Sequence, residues 1–233
     1  MDFRESFHGF RKVFLAVVHI QDEPQVLRNV ALARDNGAHG VFLINHHSDA
    51  MHLLAMYRRA RIVHPDWWIG VNALDLDPME TLRRVPTDVS GLWFDRGGID
   101  LSSPDPAREA REIAQARDRN QSWRGVHFGG VAFKYQPQRG EPDDEARFAV
   151  PYMDVITTSG SATNQAPSVP KIASMRAVIG TAPLAIASGM SPENVKPFLE
   201  YADCVLVASS ISFSYTELDP ERVRALSEIV RAF

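Results

Sequence analysis

Eight short apolar runs alternate along the chain with eight segments of helical, amphipathic pattern. This alternation constrains the fold most strongly, because continuous apolar strands separated by helices are typical of parallel strands covered on their outer face. The apolar runs occupy residues 13–19, 40–45, 67–72, 91–95, 123–128, 154–159, 184–188 and 204–209. The predicted helices occupy residues 22–36, 49–63, 78–84, 104–119, 143–148, 169–179, 192–201 and 220–232.

The number of units and the length of the chain predict a closed barrel. Eight strand–helix units in 233 residues fit a single (β/α)8 TIM barrel with few insertions, in which residues 1–233 form one domain. The alternative is an open doubly wound sheet that binds a dinucleotide. It lacks the Gly-x-Gly-x-x-Gly turn that should follow its first strand.

Charge, hydropathy and cysteine content argue against several classes of protein. The formal net charge is −4 with both signs interspersed, which disfavours general affinity for nucleic acid or acidic membranes. No apolar stretch reaches membrane-spanning length and the N-terminal run has no signal-peptide cleavage pattern, so we expect a cytoplasmic protein. Cys204, the only cysteine, lies in an apolar run where a buried and inert thiol is expected.

A polar residue stands at the end of every apolar run. TIM barrels carry their chemistry at the carboxyl ends of the strands, so this coincidence predicts a polar pocket at one mouth of the barrel. The residues are His19, Asn45 with His46, Asn72, Asp95, His127, Thr157 with Ser159, Ser188 and Ser209. Within this set, we expect the substrate to be bound by His19, Asn45, Asn72 and Ser159.

The connections after the seventh and eighth strands have the character of an anion site. Barrels often hold phosphate there, against a tight backbone and a helix N-terminus. Gly189 allows close approach, and "SPEN" at residues 191–194 is expected to begin a helix that faces the ligand. We therefore expect phosphate to be bound by Ser188, Gly189, Ser209 and Ser210. The alternative is that these small residues only permit tight turns.

Three side chains are candidates for catalysis. Asp95 ends an apolar strand, where burial would raise its carboxyl pKa toward the range of a general acid or base, although it could instead cap the next loop. His127 is expected at the next strand end, facing the same pocket or making a buried hydrogen bond. Lys134 follows two glycines in a long loop, which predicts a phosphate contact, a Schiff-base lysine, a lid or a plain surface residue.

The adjacent histidines His46 and His47 raise the question of a metal site. Neighbouring side chains on an extended segment point to opposite sides, so only one of the two can join other ligands around an ion. No His-x-x-x-His or cysteine-rich spacing supports zinc. The prediction is therefore that the chain holds no metal and no cofactor.

Several motifs resemble the BtpA/SgcQ family, a family of TIM-barrel type named after a photosystem I biogenesis factor. The similar segments are "FLAVVHI", "GVNALDLD", "DVITTSGSATN" and "IASGMSPENVKPFLEYADCVLVASSIS". The resemblance spans most of the chain and is specific in its last third. It matches His19, Asn72, Ser159-Gly160, Ser188-Gly189 and Ser209-Ser210, but the family's glycine before the final serine pair is Ala208 here. The resemblance implies the fold and a pocket, since the family has no firmly assigned reaction.

Two classes of function remain open. The first is an enzyme acting on a small phosphorylated substrate, such as a sugar phosphate or nucleotide-like compound, by isomerase, lyase or glycosyl-transfer chemistry. The second is a non-catalytic assembly or stability factor that contacts a protein partner, as the role of the family's namesake implies. Polar residues at every strand end favour the enzyme, because a scaffold does not need them. A homo-oligomer is left open, and no nucleic-acid or membrane partner is expected.

Overall fold

Eight parallel strands form one closed barrel in chain order in the computed structural model, which describes residues 2–120, 123–137 and 140–233. The strands are β1 (Val13–His19), β2 (Gly40–Ile44), β3 (Trp68–Asn72), β4 (Gly91–Phe94), β5 (Val126–Gly130), β6 (Val155–Thr158), β7 (Leu184–Ala187) and β8 (Cys204–Val207). The helices are α1 (Phe3–Ser6), α2 (Glu23–Asp35), α3 (Ala50–Val63), α4 (Pro78–Arg84), α5 (Arg108–Arg119), α6 (Pro142–Ala149), α7 (Val169–Ile179), α8 (Lys196–Leu199) and α9 (Pro220–Arg231). A 3-10 turn, Ser209–Ile211, follows β8. The predicted (β/α)8 TIM barrel is confirmed.

Alternate residues of each strand belong to two different cores. Successive side chains of a strand point to opposite faces, so one set fills the barrel and the other packs under the helices. Leu15, Phe42 and Trp93 lie in the inner core, whereas their neighbours Phe14 and Leu43 lie in the outer one. The position of a residue within this alternation therefore decides whether its side chain reaches the mouth of the barrel.

The N-terminal helix α1 and Phe7, directly after it, fill the amino end of the barrel. The Phe3 ring lies 6.1 Å from the Phe128 ring, and the Phe7 ring lies 5.3 Å from the Trp68 ring. Both phenylalanines are buried in the inner core. The short helix thus acts as an aromatic plug opposite the end at which the strands carry their polar residues.

Three elements differ by three residues or more from the sequence-based prediction, and one of them is α5, which begins at Arg108 instead of residue 104. The fifth strand begins at Val126 instead of residue 123, because the Trp123 indole is anchored outside the barrel by a 2.8 Å hydrogen bond to the Val89 carbonyl. The helix predicted over residues 192–201 is reduced to α8, which has four residues. Within the ranges that the structure describes, no helix has the length and apolarity needed to cross a membrane.

Candidate functional site

A cavity of about 670 Å³ opens at the carboxyl end of the barrel. Its floor includes Val17, Trp93 and Leu206 from the inner core. Its wall comes from His19 at the end of β1 and from the loops that follow β2, β5, β6, β7 and β8. The cavity therefore lies at the mouth where the sequence predicts a polar pocket, but to one side of it, since no residue of the loop after β3 belongs to the described lining.

The residues expected to bind phosphate are brought together in this cavity. Ser188, Gly189, Ser209 and Ser210 all line it. The two loops start side by side, because β7 and β8 pair up to Ala187 and Leu206. Both loops also bind one arginine of α9: Arg222 donates to the Ser210 carbonyl and, at 2.9 Å, to the Glu193 carboxylate.

Several donors of these two loops are left for a ligand. In the described chain, no hydrogen bond outside the helices and strands uses the backbone N–H of Gly189, Met190 or Ser209. The exposed Ser209 hydroxyl likewise has no hydrogen bond to the residues that the structure describes. The other two hydroxyls are engaged: Ser188 Oγ accepts the Asn164 N–H at 3.2 Å, and Ser210 Oγ donates to the Met190 carbonyl.

The "SPEN" segment does not supply the helix N-terminus that the sequence suggests. The Ser191 carbonyl accepts the N–H groups of Asn194 at 3.2 Å and Val195 at 3.0 Å, and the Ser191 hydroxyl accepts the Glu193 N–H at 3.2 Å. These amides close a turn, and α8 begins only at Lys196. The expected contribution of a helix terminus to anion binding is therefore corrected: the free amides lie earlier, at Gly189 and Met190.

The backbone around β7 is held in an unusual conformation. Ser188 and Gly189 are both left-handed, with φ of 84° and 73°. A Cβ on Gly189 would lie 2.1 Å from the Ala166 nitrogen, so only glycine fits where the loop after β6 crosses. The other left-handed non-glycine residues of the described chain, Ala132, Tyr135 and Asn164, lie in loops at the same mouth. Such strain concentrates at functional sites, which supports this mouth as one.

Lys134 reaches the cavity from the loop after β5. Its N–H donates to Ser159 Oγ at 2.7 Å, and its Nζ lies 3.4 Å from Thr163 Oγ1. The Tyr135 hydroxyl accepts the Thr163 N–H at 3.1 Å, which joins the loops after β5 and β6. Ser159 is buried, and its hydroxyl also donates to the Gly160 carbonyl at 2.9 Å. Ser159 therefore positions Lys134 and does not line the cavity itself.

His19 forms one wall of the cavity together with His46 and Tyr215. His19 Nδ1 lies 3.0 Å from the Tyr215 carbonyl oxygen. A carbonyl can only accept, so Nδ1 carries the proton in the neutral ring and Nε2 keeps a lone pair. Burial, followed by the neighbouring His46, lowers the pKa of His19 to about 4, and burial also lowers the pKa of His46. Both imidazoles are therefore neutral at pH 7.

Asn45 does not face the cavity. Its amide nitrogen donates to Asp75 Oδ1 at 2.6 Å and to the Ser48 carbonyl at 3.0 Å, and its oxygen accepts the Leu74 N–H at 2.8 Å. The amide thus joins the loops after β2 and β3. Because these contacts use both its donor and its acceptor, the expectation that Asn45 orients a substrate is corrected to a structural position.

Asn72 and Asp95 form a pair at the mouth, beyond the described lining of the cavity. Asn72 Nδ2 donates to Asp95 Oδ1 at 3.0 Å. Burial raises the pKa of the Asp95 carboxyl, whereas the Asn72 hydrogen bond and the Lys134 ammonium oppose this rise. Asp95 therefore lies within the electrostatic reach of Lys134.

His127 lies between the barrel and its helices. Val126 and Phe128 belong to the inner core, so His127 between them points outward. Its buried ring packs 5.2 Å from the Phe94 ring, and burial, with a smaller effect of Arg117, lowers its pKa to about 3. The expectation that His127 and Asp95 face one pocket is corrected, because His127 is the second residue of β5 and has the outward register.

The adjacent histidines do not form part of a metal-binding cluster within the described residues, since no three His, Cys, Asp or Glu side chains there are arranged to hold an ion. The His46 and His47 rings lie 6.4 Å apart, and the His47 ring packs 5.4 Å from the Tyr215 ring. Sequence reasoning did not select Tyr215. The signal for it was weak, because the loop after the eighth strand holds two aromatic residues, Phe213 and Tyr215, and nothing in the sequence marks which one reaches the cavity.

Comparison with solved structures finds the same fold at low sequence identity. Tryptophan synthase of Mycobacterium tuberculosis has a TM-score of 0.69 and 14% identity, covering 98% of this chain and 95% of that chain. Phosphoribosyl anthranilate isomerase from Thermus thermophilus has a TM-score of 0.63 and 17% identity, and the match covers 94% of this chain and 98% of that chain. A third similar structure is (S)-3-O-geranylgeranylglyceryl phosphate synthase from Thermoplasma acidophilum, in complex with its substrate sn-glycerol-1-phosphate. It has a TM-score of 0.63 and 12% identity, and the match covers 99% of this chain and 96% of that chain.

At these identities the likeness shows the fold alone. No protein-family model matches the chain, and a search of curated proteins finds no match. The fold and the cavity together define the class to which the chain belongs: a TIM barrel with a polar-walled cavity at the carboxyl end of its strands.

Proposed function

We propose that the chain is a TIM-barrel enzyme that binds a small phosphorylated compound at the carboxyl mouth of its barrel. The phosphate would lie between the loops after β7 and β8. One observation carries this proposal: Ser188, Gly189, Ser209 and Ser210 line a single cavity in which backbone N–H groups have no acceptor among the described residues. Inward N–H groups on a tight backbone are the donors that such barrels offer to phosphate.

Lys134 supplies the positive charge that such a site needs. After burial, which is the main cause, its ammonium contributes to the lowered pKa of His19 and of His46, and it also opposes the raised pKa of Asp95. Its field therefore reaches both the histidine wall and Asp95. A lysine ammonium binds phosphate as a compact point charge.

We assign proton transfer to two groups whose pKa values this charge affects, Asp95 and His19. Asp95, held by Asn72, has a carboxyl pKa raised by burial, which brings it toward the range of a general acid or base. His19 offers a neutral Nε2 at the cavity wall. With Lys134, these groups suit isomerase, lyase or glycosyl-transfer chemistry on a phosphorylated compound.

Two comparisons support the choice of ligand. Phosphoribosyl anthranilate isomerase acts on a phosphorylated compound, and geranylgeranylglyceryl phosphate synthase is seen with sn-glycerol-1-phosphate. The resemblance to the BtpA/SgcQ family is part of the same proposal, because the Ser188-Gly189 and Ser209-Ser210 motifs that carry it both line the cavity.

A thermal-shift screen against inorganic phosphate, sugar phosphates and nucleotides tests the proposal. We expect phosphorylated compounds to raise the Tm of the wild-type protein, and Ser209→Asp to abolish this rise by charge repulsion. Ser214→Asp is the matched control, because Ser214 is exposed in the following loop and lies outside the described lining of the cavity. If no phosphorylated compound raises the Tm, the proposal fails, and the alternative function of an assembly factor that binds a protein partner is favoured.

A further inference from the structure

We propose that the cavity selects phosphorylated compounds that carry a flat, uncharged heteroaromatic ring, of about the size of a nucleoside monophosphate. The inference rests on the proposed function, because it places the phosphate end of the ligand between the loops after β7 and β8. It adds the identity of the other end, which would lie against His19, Tyr215 and Trp93.

The size of the cavity leaves room for a ligand with a second part beside the phosphate. Its volume of about 670 Å³ lies within the range of pockets that bury drug-sized molecules. The anion donors occupy only the side formed by Gly189, Met190 and Ser209. The remaining floor, which includes Val17, Ile44 and Leu206, is apolar. A phosphate with a short sugar would leave this floor uncovered.

The charges of the lining indicate one phosphate and an otherwise uncharged ligand. Lys134 is the only lysine or arginine among the described lining residues, and no carboxylate occurs there. His19 and His46 are neutral at pH 7, because burial lowers the pKa of each. A second phosphate or a carboxylate would therefore be desolvated without a partner of opposite charge, which is costly.

The wall beside the anion donors consists of ring systems, because His19 ends β1, which pairs with β8. The Tyr215 ring lies 4.2 Å from the His19 ring at an interplanar angle of 35°, and the His46 ring lies 5.0 Å from the His19 ring. Tyr215 keeps 49% of its surface exposed, so this side chain offers ring surface to a ligand. Flat rings stack on such surfaces with a gain that does not depend on charge.

Two polar atoms favour a heteroaromatic ring over a hydrocarbon. Trp93 lines the cavity and is 5% exposed, yet its indole N–H has no partner among the described residues. His19 Nε2 retains a lone pair, because Nδ1–H donates to the Tyr215 carbonyl. A buried donor without an acceptor is rare in proteins and calls for a partner such as a ligand. Together the two atoms offer one donor and one acceptor to the edge of a ring.

Isothermal titration calorimetry with three probes tests the inference: inorganic phosphate, ribose 5-phosphate and uridine 5′-monophosphate. We expect the nucleotide to bind at least about fivefold more tightly than ribose 5-phosphate, as stacking of one base implies. Tyr215→Leu should remove this preference without weakening the binding of ribose 5-phosphate. Tyr215→Phe, which keeps an aromatic ring, should retain the preference for the nucleotide. Phe213→Leu is the control, because Phe213 is 73% exposed in the same loop and outside the described lining.

The outcomes separate this inference from the proposed function. Equal affinity for ribose 5-phosphate and the nucleotide, or equal weakening of both by Tyr215→Leu, would overturn the ring preference while phosphate binding stands. No measurable binding of any probe would overturn the proposed function itself, and the inference with it. A preference that survives Tyr215→Leu would overturn the assignment of the ring to this wall.

Discussion

The two halves of the barrel mouth carry the same kinds of residue but use them differently. On the side of β2, β3 and β4, Asn45 and Asn72 direct their amides to the carboxylates of Asp75 and Asp95. On the side of β7 and β8, the Ser209 hydroxyl and nearby backbone N–H groups have no such acceptor in the described chain. A polar residue at a strand end is thus a candidate ligand only when the fold leaves its hydrogen-bonding groups unused.

This contrast gives the two halves different energetic roles. Buried polar groups that are fully hydrogen-bonded stabilise the fold, and removing one partner leaves the other unsatisfied at a cost of about 1–3 kcal/mol. Groups that face a cavity contribute little to folding and gain partners only with a ligand. Apart from Asp95, to which we assign proton transfer, substitutions on the first side should therefore change stability, whereas those on the second should change binding.

The largest effect is expected at Gly189, where the backbone of the β7 loop meets the loop after β6. Gly189→Ala should lower the free energy of unfolding by about 3 kcal/mol or more, because it combines a left-handed backbone with a clash against Ala166. Gly9→Ala is the matched control: Gly9 has a φ of 77° but nothing within 4 Å of an added Cβ. Gly9→Ala should lower the free energy of unfolding by about 1 kcal/mol, the strain of the left-handed backbone alone. Urea unfolding measures the free energy of unfolding of both variants. Equal losses of stability would show that the close approach of Ala166 is not the reason for glycine at this position.

Asn45 and Ser209 compare the two halves directly. Asn45→Ala should lower the free energy of unfolding by about 2 kcal/mol, because it removes one of the donors to the Asp75 carboxylate and leaves the Leu74 N–H without its acceptor. Ser209→Ala should change it by less than about 0.5 kcal/mol, as is usual for an exposed side chain. Phosphate affinity, measured by calorimetry, should fall only in Ser209→Ala. The reverse pattern would contradict the division of the mouth into a structural and a binding half.

The charge of Lys134 is expected to affect binding and not folding. Lys134→Met should lower the affinity for inorganic phosphate about tenfold, because it removes one hydrogen bond to a charged group. It should also reduce the dependence of affinity on salt concentration. Lys196→Met removes a charge from an exposed position outside the described lining and serves as the control. Similar weakening by both variants would show that the effect comes from net charge alone.

The smallest effect concerns Asp95 and depends on pH. Burial raises its pKa in the folded protein above the value of 3.8 that applies to the exposed group. The folded state therefore binds this proton more tightly, and stability falls as pH rises from below 3.8 through the folded pKa. Asp95→Asn should consequently be more stable than wild type at pH 7, with a difference that shrinks as the pH is lowered to about 3.5. Chemical unfolding at several pH values measures this, and a variant less stable at pH 7 would contradict a burial-raised pKa.

The fold could be predicted from the sequence, but the register of the strands could not. Apolar runs separated by amphipathic helices identify a parallel barrel. However, both faces of its strands are buried, so the runs lack the polar alternation that shows which residues point inward. In β2, Val41 and Leu43 are as apolar as Phe42 and Ile44. Nothing in that run distinguishes Asn45, which joins two loops, from His46, which lines the cavity.

The remaining corrections have a similar physical origin. The sequence places His127 at a strand end because the apolar run stops at Phe128, whereas the strand continues through Gly129 and Gly130 and His127 is its second residue. The turn at Ser191 is closed by Asn194, a local side-chain contact that competes with the helix predicted there. Tyr215 reaches the cavity because the loop after β8 folds back on itself through a bridge between Ser212 and Leu218.

The central claim is that an anion binds between the loops after β7 and β8, and a crystal structure determined in the presence of inorganic phosphate tests it most directly. We expect the phosphate within hydrogen-bond distance of the Gly189 and Ser209 N–H groups, with the Lys134 ammonium on its open side. Phosphate found only elsewhere on the protein, or an empty cavity at saturating phosphate, would contradict the account.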